Sequence, residues 1–294
     1  MSWQTIFFQQ LISGLTIGMI YALIALGYTM VYGIIQLINF AHGEIFMVGA
    51  YFGLSAFFFS NSLPVILTVS ILGTAFLGLV TERFAYRPLR NAPRLAPLIT
   101  AIGVSFALQN AVMLIYGPND KRFPSALAVQ KFSWQGITIT NLQILIAILS
   151  LSFMIILHLF VQHTKTGKAM RALADDRPAA SLMGISVHRI ISVTFLIGSV
   201  LAGIGGVLFA LYYGTINFHD GYLAGLKAFT AAVLGGIGNI PGAMIGGVLL
   251  GVLEGLAAGY LSSEWKNAFA FVILVLLLLF KPTGLLGERV VKKV

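Results

Sequence analysis

Residues 36–44 read Gln36-Leu37-Ile38-Asn39-Phe40-Ala41-His42-Gly43-Glu44, a short polar stretch inside an apolar run. Apolar sequence approaches it from Leu11 to Ile35 and leaves it from Ile45 to Phe59. In a bilayer such a break cannot face lipid, because its freed backbone groups must be buried in protein or line a wet cavity. The stretch is therefore expected to mark a solute pathway.

Composition extends this reading to the whole chain. Of 294 residues, 58% are hydrophobic and 9% charged, against about 25% charged in soluble proteins. A soluble fold could not cover itself with so little polar surface. The class is all-α, a polytopic membrane protein. A barrel would need alternating segments of about ten residues, whereas the apolar runs here are continuous and mostly longer. Cys is absent, which removes disulfides and thiolate metal sites. Met1 to Gln4 carry neither a basic region nor a small-residue cleavage site, so the first helix is expected to be retained. The net charge of +9 is concentrated. Four cations lie in 81–94 (Arg83, Arg87, Arg90, Arg94), five in 163–189 and four in the tail (Lys281, Arg289, Lys292, Lys293), thirteen of the 18 Lys and Arg. The positive-inside bias places these segments in the cytoplasm. They read as flanks that orient helices, with no nucleic-acid role.

A spanning helix needs about 20 apolar residues. Apolar stretches lie at 6–26 running into 27–35, 45–59, 64–80, 95–116, 141–162, 190–213, 225–261 and from Asn267 to Phe280. They give about eight membrane-embedded segments, two of them broken or re-entrant. Residues 117–140 form a polar connection placed outside. The second break is Gly235-Gly236-Ile237-Gly238-Asn239-Ile240-Pro241-Gly242, where Pro and Gly oppose a continuous helix. If 163–189 and the tail are both inside, the region 225–261 must contribute zero or two crossings. Asn39 precedes Gly43 in one break and Asn239 precedes Gly242 in the other, which suggests a duplicated unit. Paired breaks in two halves point to a transport site.

The pathway candidates are Asn39, His42, Glu44, Gly238, Asn239 and Glu254. His42 and Glu44 stand two residues apart and do not share a helix face. No third ligand is nearby and no nucleophile accompanies them, so neither a metal site nor a catalytic site is expected. They either line the pathway or bond the opened backbone. Gly247, Gly251, Gly255 and Gly259 recur every four residues, a face that admits a close neighbour. Both packing within the chain and a seam between subunits fit it. Glu254 lies beside that face; an intramembrane carboxylate is either a functional group or a hydrogen-bonded structural one. In the loop 163–189 a short helix is expected, with Asp175, Asp176 and Arg177 at its start, Pro178 in its first turn and Gly184 at its end. It reads as a docking surface. No G-x-x-x-x-G-K-[ST] occurs, so the chain carries no phosphate loop of its own.

Tyr21-Ala-Leu-Ile-Ala-Leu-Gly-Tyr-Thr-Met-Val-Tyr-Gly-Ile-Ile through Asn39-Phe-Ala-His-Gly-Glu resembles the LivH-type permeases of bacterial branched-chain amino-acid ABC importers. So do Lys227-Ala-Phe-Thr-Ala-Ala-Val-Leu-Gly-Gly-Ile-Gly through Pro241-Gly-Ala-Met-Ile-Gly-Gly, Glu82-Arg83, Tyr86-Arg87-Pro88 and Pro282-Thr283-Gly284. The resemblance covers nearly the whole chain, with 117–140 least distinctive. It implies one transmembrane permease domain over 1–294, in the bacterial inner membrane, with a cytoplasmic coupling loop at 163–189. It implies a homologous LivM-type permease, two cytoplasmic ATPase subunits on which ATP acts, and a periplasmic amino-acid-binding protein. No cofactor is expected on this chain. Many such permeases carry E-A-A-x-x-x-G in the coupling loop. Here Ala179-Ala180-Ser181-Leu182-Met183-Gly184 fits its last six places, with Pro178 where Glu would stand. A stand-alone carrier or channel, an intramembrane enzyme, and a permease for urea, amides or other amino acids are the alternatives.

Overall fold

The computed structural model describes residues 3–90, 92–93, 95–125 and 128–287. Arg94 and the tail cations Arg289, Lys292 and Lys293 lie outside the described residues. Eleven α-helices carry the fold among the described residues: α1 (Trp3–Ile35), α2 (His42–Ala56), α3 (Leu63–Thr81), α4 (Leu95–Tyr116), α5 (Asn141–His163), α6 (Lys165–Asp175), α7 (Arg177–Leu182), α8 (Val187–Tyr213), α9 (Asp220–Gly235), α10 (Ile240–Tyr260) and α11 (Lys266–Phe280). Six of the helical runs are long and apolar enough to cross a membrane: α1, α3 with its extension to Leu89, α4, α5, α8 and α10. The shorter α2, α9 and α11 pack among them. These lengths and compositions are those of a multi-pass membrane protein.

α1 is the axis. It continues through 27–35 without interruption for 33 residues, about 50 Å at 1.5 Å per residue. Its apolar residues surround it, and from Ile20 to Val31 every residue is buried, as befits a helix enclosed by others. α10, α8, α9 and α5 pack around it. α10 approaches closest, with Gly251 against Gly18 and Gly14, Gly247 against Ala22 and Gly255 against Gly14. The glycine stripe is thus occupied within the chain by α1, and Gly259 rests on the Gln10 side chain.

The loop 163–189 folds as two helices where one was expected. Thr164 caps α6 by accepting from Gly167 N at 3.0 Å, and Asp176 caps α7 by accepting from Ala179 N at 2.9 Å. Arg177 donates to the carbonyl of Ile34 at 2.6 and 3.1 Å. The C-terminal end of α1 therefore lies on the same, inner side as α6 and α7. From there α2 and α3 form an outward and inward pair, as do α4 and α5, α8 and α9, and α10 and α11. α9 and α10 are two consecutive helices parted by the break at 236–239, where the sequence reads one broken or re-entrant region. On the outer side the polar connection holds a hairpin of β2 (Lys131–Trp134) and β3 (Ile137–Thr140), antiparallel with Lys131 opposite Thr140. β1 (Lys121–Arg122) pairs with β4 (Thr215–Ile216), which ties this connection to the end of α8.

Candidate functional site

The first break is a backbone excursion held by side chains. Gln36, in the left-handed region at φ 56°, ends α1. Residues 36–39 then run without helix until His42 opens α2. Asn39 is buried, and its Oδ1 accepts from Ala41 N at 3.1 Å and from the Tyr86 hydroxyl at 2.8 Å. Asn39 thus fastens the opened backbone to the inner end of α3. His42 is equally buried, packed onto Gly27 of α1 and edge-on to Tyr28 with ring centroids 4.8 Å apart. It does not line the adjoining cavity.

Glu44 does. Its Oε1 accepts from the Ser105 hydroxyl at 3.1 Å, and its buried Oε2 has no partner in the protein. The cavity beside it measures about 620 Å³. Ile102, Phe106 and Gln109 of α4, Phe40 of the break, and Tyr222, Leu223 and Leu226 of α9 line it, together with His219. The walls are mainly apolar, with a few polar groups converging near Glu44. That composition is usual for a small-molecule pocket. At its inner edge α2 crosses α9 in backbone contact, Gly43 against Gly221 and Gly225. A Cβ on Gly43 would overlap the Gly221 carbonyl and the Gly225 Cα. The start of α2 is thereby held inside the protein, with His42 N donating to Asn39 O at 3.0 Å.

The remaining pathway candidates lie elsewhere. At the second break Gly236 takes φ 107°, a conformation costly to residues with a Cβ. Asn239 caps α10 by accepting from Gly242 N at 2.9 Å and donates to Leu286 O at 2.8 Å. Leu285 and Leu286 N–H groups bond the carbonyls of Leu234 and Gly235 at 2.8 and 3.0 Å, satisfying groups that a helix end leaves open. Gly238 packs near Gly33. These residues sit at the inner end, apart from Glu44. Glu254 is buried against Lys227 of α9, Nζ to Oε1 2.6 Å, and Lys227 also reaches the Tyr21 hydroxyl at 3.3 Å. Sequence reasoning found Glu254 without its partner. An intramembrane Lys in a helix that starts with Asp220 was the available signal.

One further group was missed. Glu82 is buried and receives Arg87, Arg90 and the Ser192 hydroxyl, the last at 2.9 Å. Arg90 also meets His188 Nδ1. This network bolts the inner ends of α3 and α8 together. Burial lowers the Arg90 pKa from its ordinary value, with Glu82 opposing the shift, and burial lowers that of Arg177. The tip of α7 is the segment that the sequence reads as a docking surface. Leu182 and Met183 stand 89% and 83% exposed, next to Gly184 at φ 83°. Ala179 and Ser181 are exposed beside them and Ala180 is buried, while Asp175 lies exposed at the end of α6.

Comparison with known proteins accords with this architecture. Residues 10–278 match the family model described as branched-chain amino acid transport system / permease component. The high-affinity branched-chain amino acid transport system permease protein BraD of Pseudomonas aeruginosa is 48% identical, over 98% of both chains. The corresponding protein LivH of Escherichia coli is 45% identical over the full length of both. LivM of Escherichia coli is 26% identical over 92% of this chain and 68% of its own. No solved structure matches. The likeness runs from the first helix to the last, through both breaks, and the chain belongs to the family of branched-chain amino acid transport permeases.

Proposed function

We propose that this chain is the membrane-spanning permease subunit of an ABC importer for branched-chain amino acids. It works beside a homologous LivM-type permease, with two cytoplasmic ATPases that hydrolyse ATP and a periplasmic binding protein that delivers the solute. The full-length similarity, at 45% and 48% identity, to relatives named as branched-chain amino acid transport permeases carries this reading. The geometry supports it with a buried helix start and a single carboxylate, Glu44, at the edge of a mainly apolar cavity. Aliphatic side chains suit such walls, and an ammonium group suits Glu44.

In this mechanism the exposed Leu182 and Met183 dock into a cytoplasmic ATPase. The capped α7 transmits movement through Arg177 to Ile34 at the end of α1, two residues before the break begins at Gln36. Selectivity rests mainly on the binding protein, since the cavity offers one acidic group and no cation. Vesicles carrying the assembled transporter test this directly. Leucine uptake is expected to require ATP and the binding protein. Uptake driven by an ion gradient without ATPase subunits, or preference for urea, would overturn it. Gly184→Trp is expected to leave assembly intact and to uncouple ATP hydrolysis from uptake; normal coupling in that variant would remove α7 from the mechanism.

A further inference from the structure

A second cavity, of about 270 Å³, lies in the outer half of the chain between α1, α8, α9 and α11. Water occupies roughly 30 Å³ per molecule, so the space holds a solute of several heavy atoms. It is separate from the Glu44 cavity and has a different character. Asp220, Lys227 and Lys266 all line it, together with the aromatic rings of Tyr21, Phe209 and Tyr213. Lys227 forms the floor and is neutralised by Glu254, whose buried Oε2 has no partner. The other two charges are not paired. The ion pairs among the described residues are those of Glu82 with Arg87 and Arg90 and of Lys227 with Glu254. Asp220 accepts only from Asn217 N, at 2.7 Å, and Lys266 lies over the Tyr213 ring at 5.9 Å. One free carboxylate and one free ammonium therefore share a cavity with apolar aromatic walls. Both stand at the first residue of their helices, α9 and α11, half-exposed and beside the open rim of the cavity.

We infer that this cavity is a vestibular subsite for a zwitterionic amino acid. Lys266 receives the carboxylate, Asp220 receives the ammonium, and the aromatic rings take the side chain. The subsite precedes the Glu44 cavity on the outer side. It rests on the proposed import of amino acids for its biological meaning, though binding can be measured without transport. A molecule with one charge satisfies only one of the two groups and leaves the other unpaired, which costs affinity.

The chain has no cysteine, so a single introduced thiol on it is unambiguous. Thr215→Cys places one at the exposed rim of the cavity, and Ser60→Cys places a control elsewhere on the outer side. In the assembled transporter in lipid vesicles, labelling of this chain by a charged thiol reagent is followed with and without millimolar leucine. Leucine is expected to slow labelling at Thr215→Cys at least threefold and to leave Ser60→Cys unchanged. Isovalerate and isoamylamine, each carrying one charge, are expected to protect far less. Adding Lys266→Gln or Asp220→Asn is expected to abolish the protection. Absence of protection, equal protection at Ser60→Cys, or protection that persists in both variants would overturn the subsite. Leucine uptake by the same vesicles is read in parallel. Protection without uptake supports the subsite and counts against the importer reading; uptake without protection does the reverse.

Discussion

Lys227 and Glu254 show how a single residue is held in this protein. Two charges 2.6 Å apart in a buried setting are only worthwhile as a pair, because each alone would be an uncompensated ion. Lys227→Met is therefore expected to destabilise the fold by roughly 3–5 kcal/mol. The double variant Lys227→Met with Glu254→Met should recover most of that, as read by thermal unfolding in detergent. A double variant no more stable than the single would mean that the pair does more than neutralise itself. Glu44 is the contrasting case. Its Oε2 lacks a protein partner, so Glu44→Gln keeps shape and the Ser105 contact while removing the charge. Leucine uptake is expected to fall at least tenfold with assembly unchanged; equal uptake would place Glu44 outside the path.

Among the elements, α7 is short but tightly specified. Asp176 caps it, Pro178 occupies its first turn and Arg177 reaches out to α1. If motion passes through this contact, Arg177→Ala should lower leucine moved per ATP hydrolysed several-fold without lowering hydrolysis itself. An unchanged ratio would break that link. This element was legible in the sequence because cap, proline and terminal glycine are local signals. α6 was not, since its amphipathic residues were read into the same single element and the Thr164 cap that starts it went unread. The β2–β3 hairpin was also missed. Its turn is Gln135-Gly136, with both residues at positive φ, and Gln is not a residue that advertises a turn. Both breaks were legible as polar or glycine-rich interruptions. What separated Asn39, which fastens backbone, from Glu44, which faces a cavity, was tertiary contact with Tyr86 and Ser105, and spacing carries no trace of that.

For the whole molecule, charge in the loops sets the expected order of the helices, because short basic loops are retained inside. The order can be checked with the cysteine-free chain. Ser60→Cys is expected to react with a membrane-impermeant reagent in right-side-out spheroplasts, and Ser181→Cys only after the membrane is opened. Reaction of Ser181→Cys in intact spheroplasts would invert the arrangement and place the coupling helices outside. What loop charge could not tell was that α1 lies at the centre. That follows from how many helices need a small or apolar partner on every side.

The contact of α1 with α10 has one more consequence. Where glycine meets glycine along a shared seam, there are no side chains to slide past one another or to change rotamer. Shear motions need such layers of adjustable padding, and close-packed interiors resist compression. α1 and α10 are therefore expected to move as one spindle. Any alternation of access must swing the outer helices, or a neighbouring subunit, around an axle that does not itself bend.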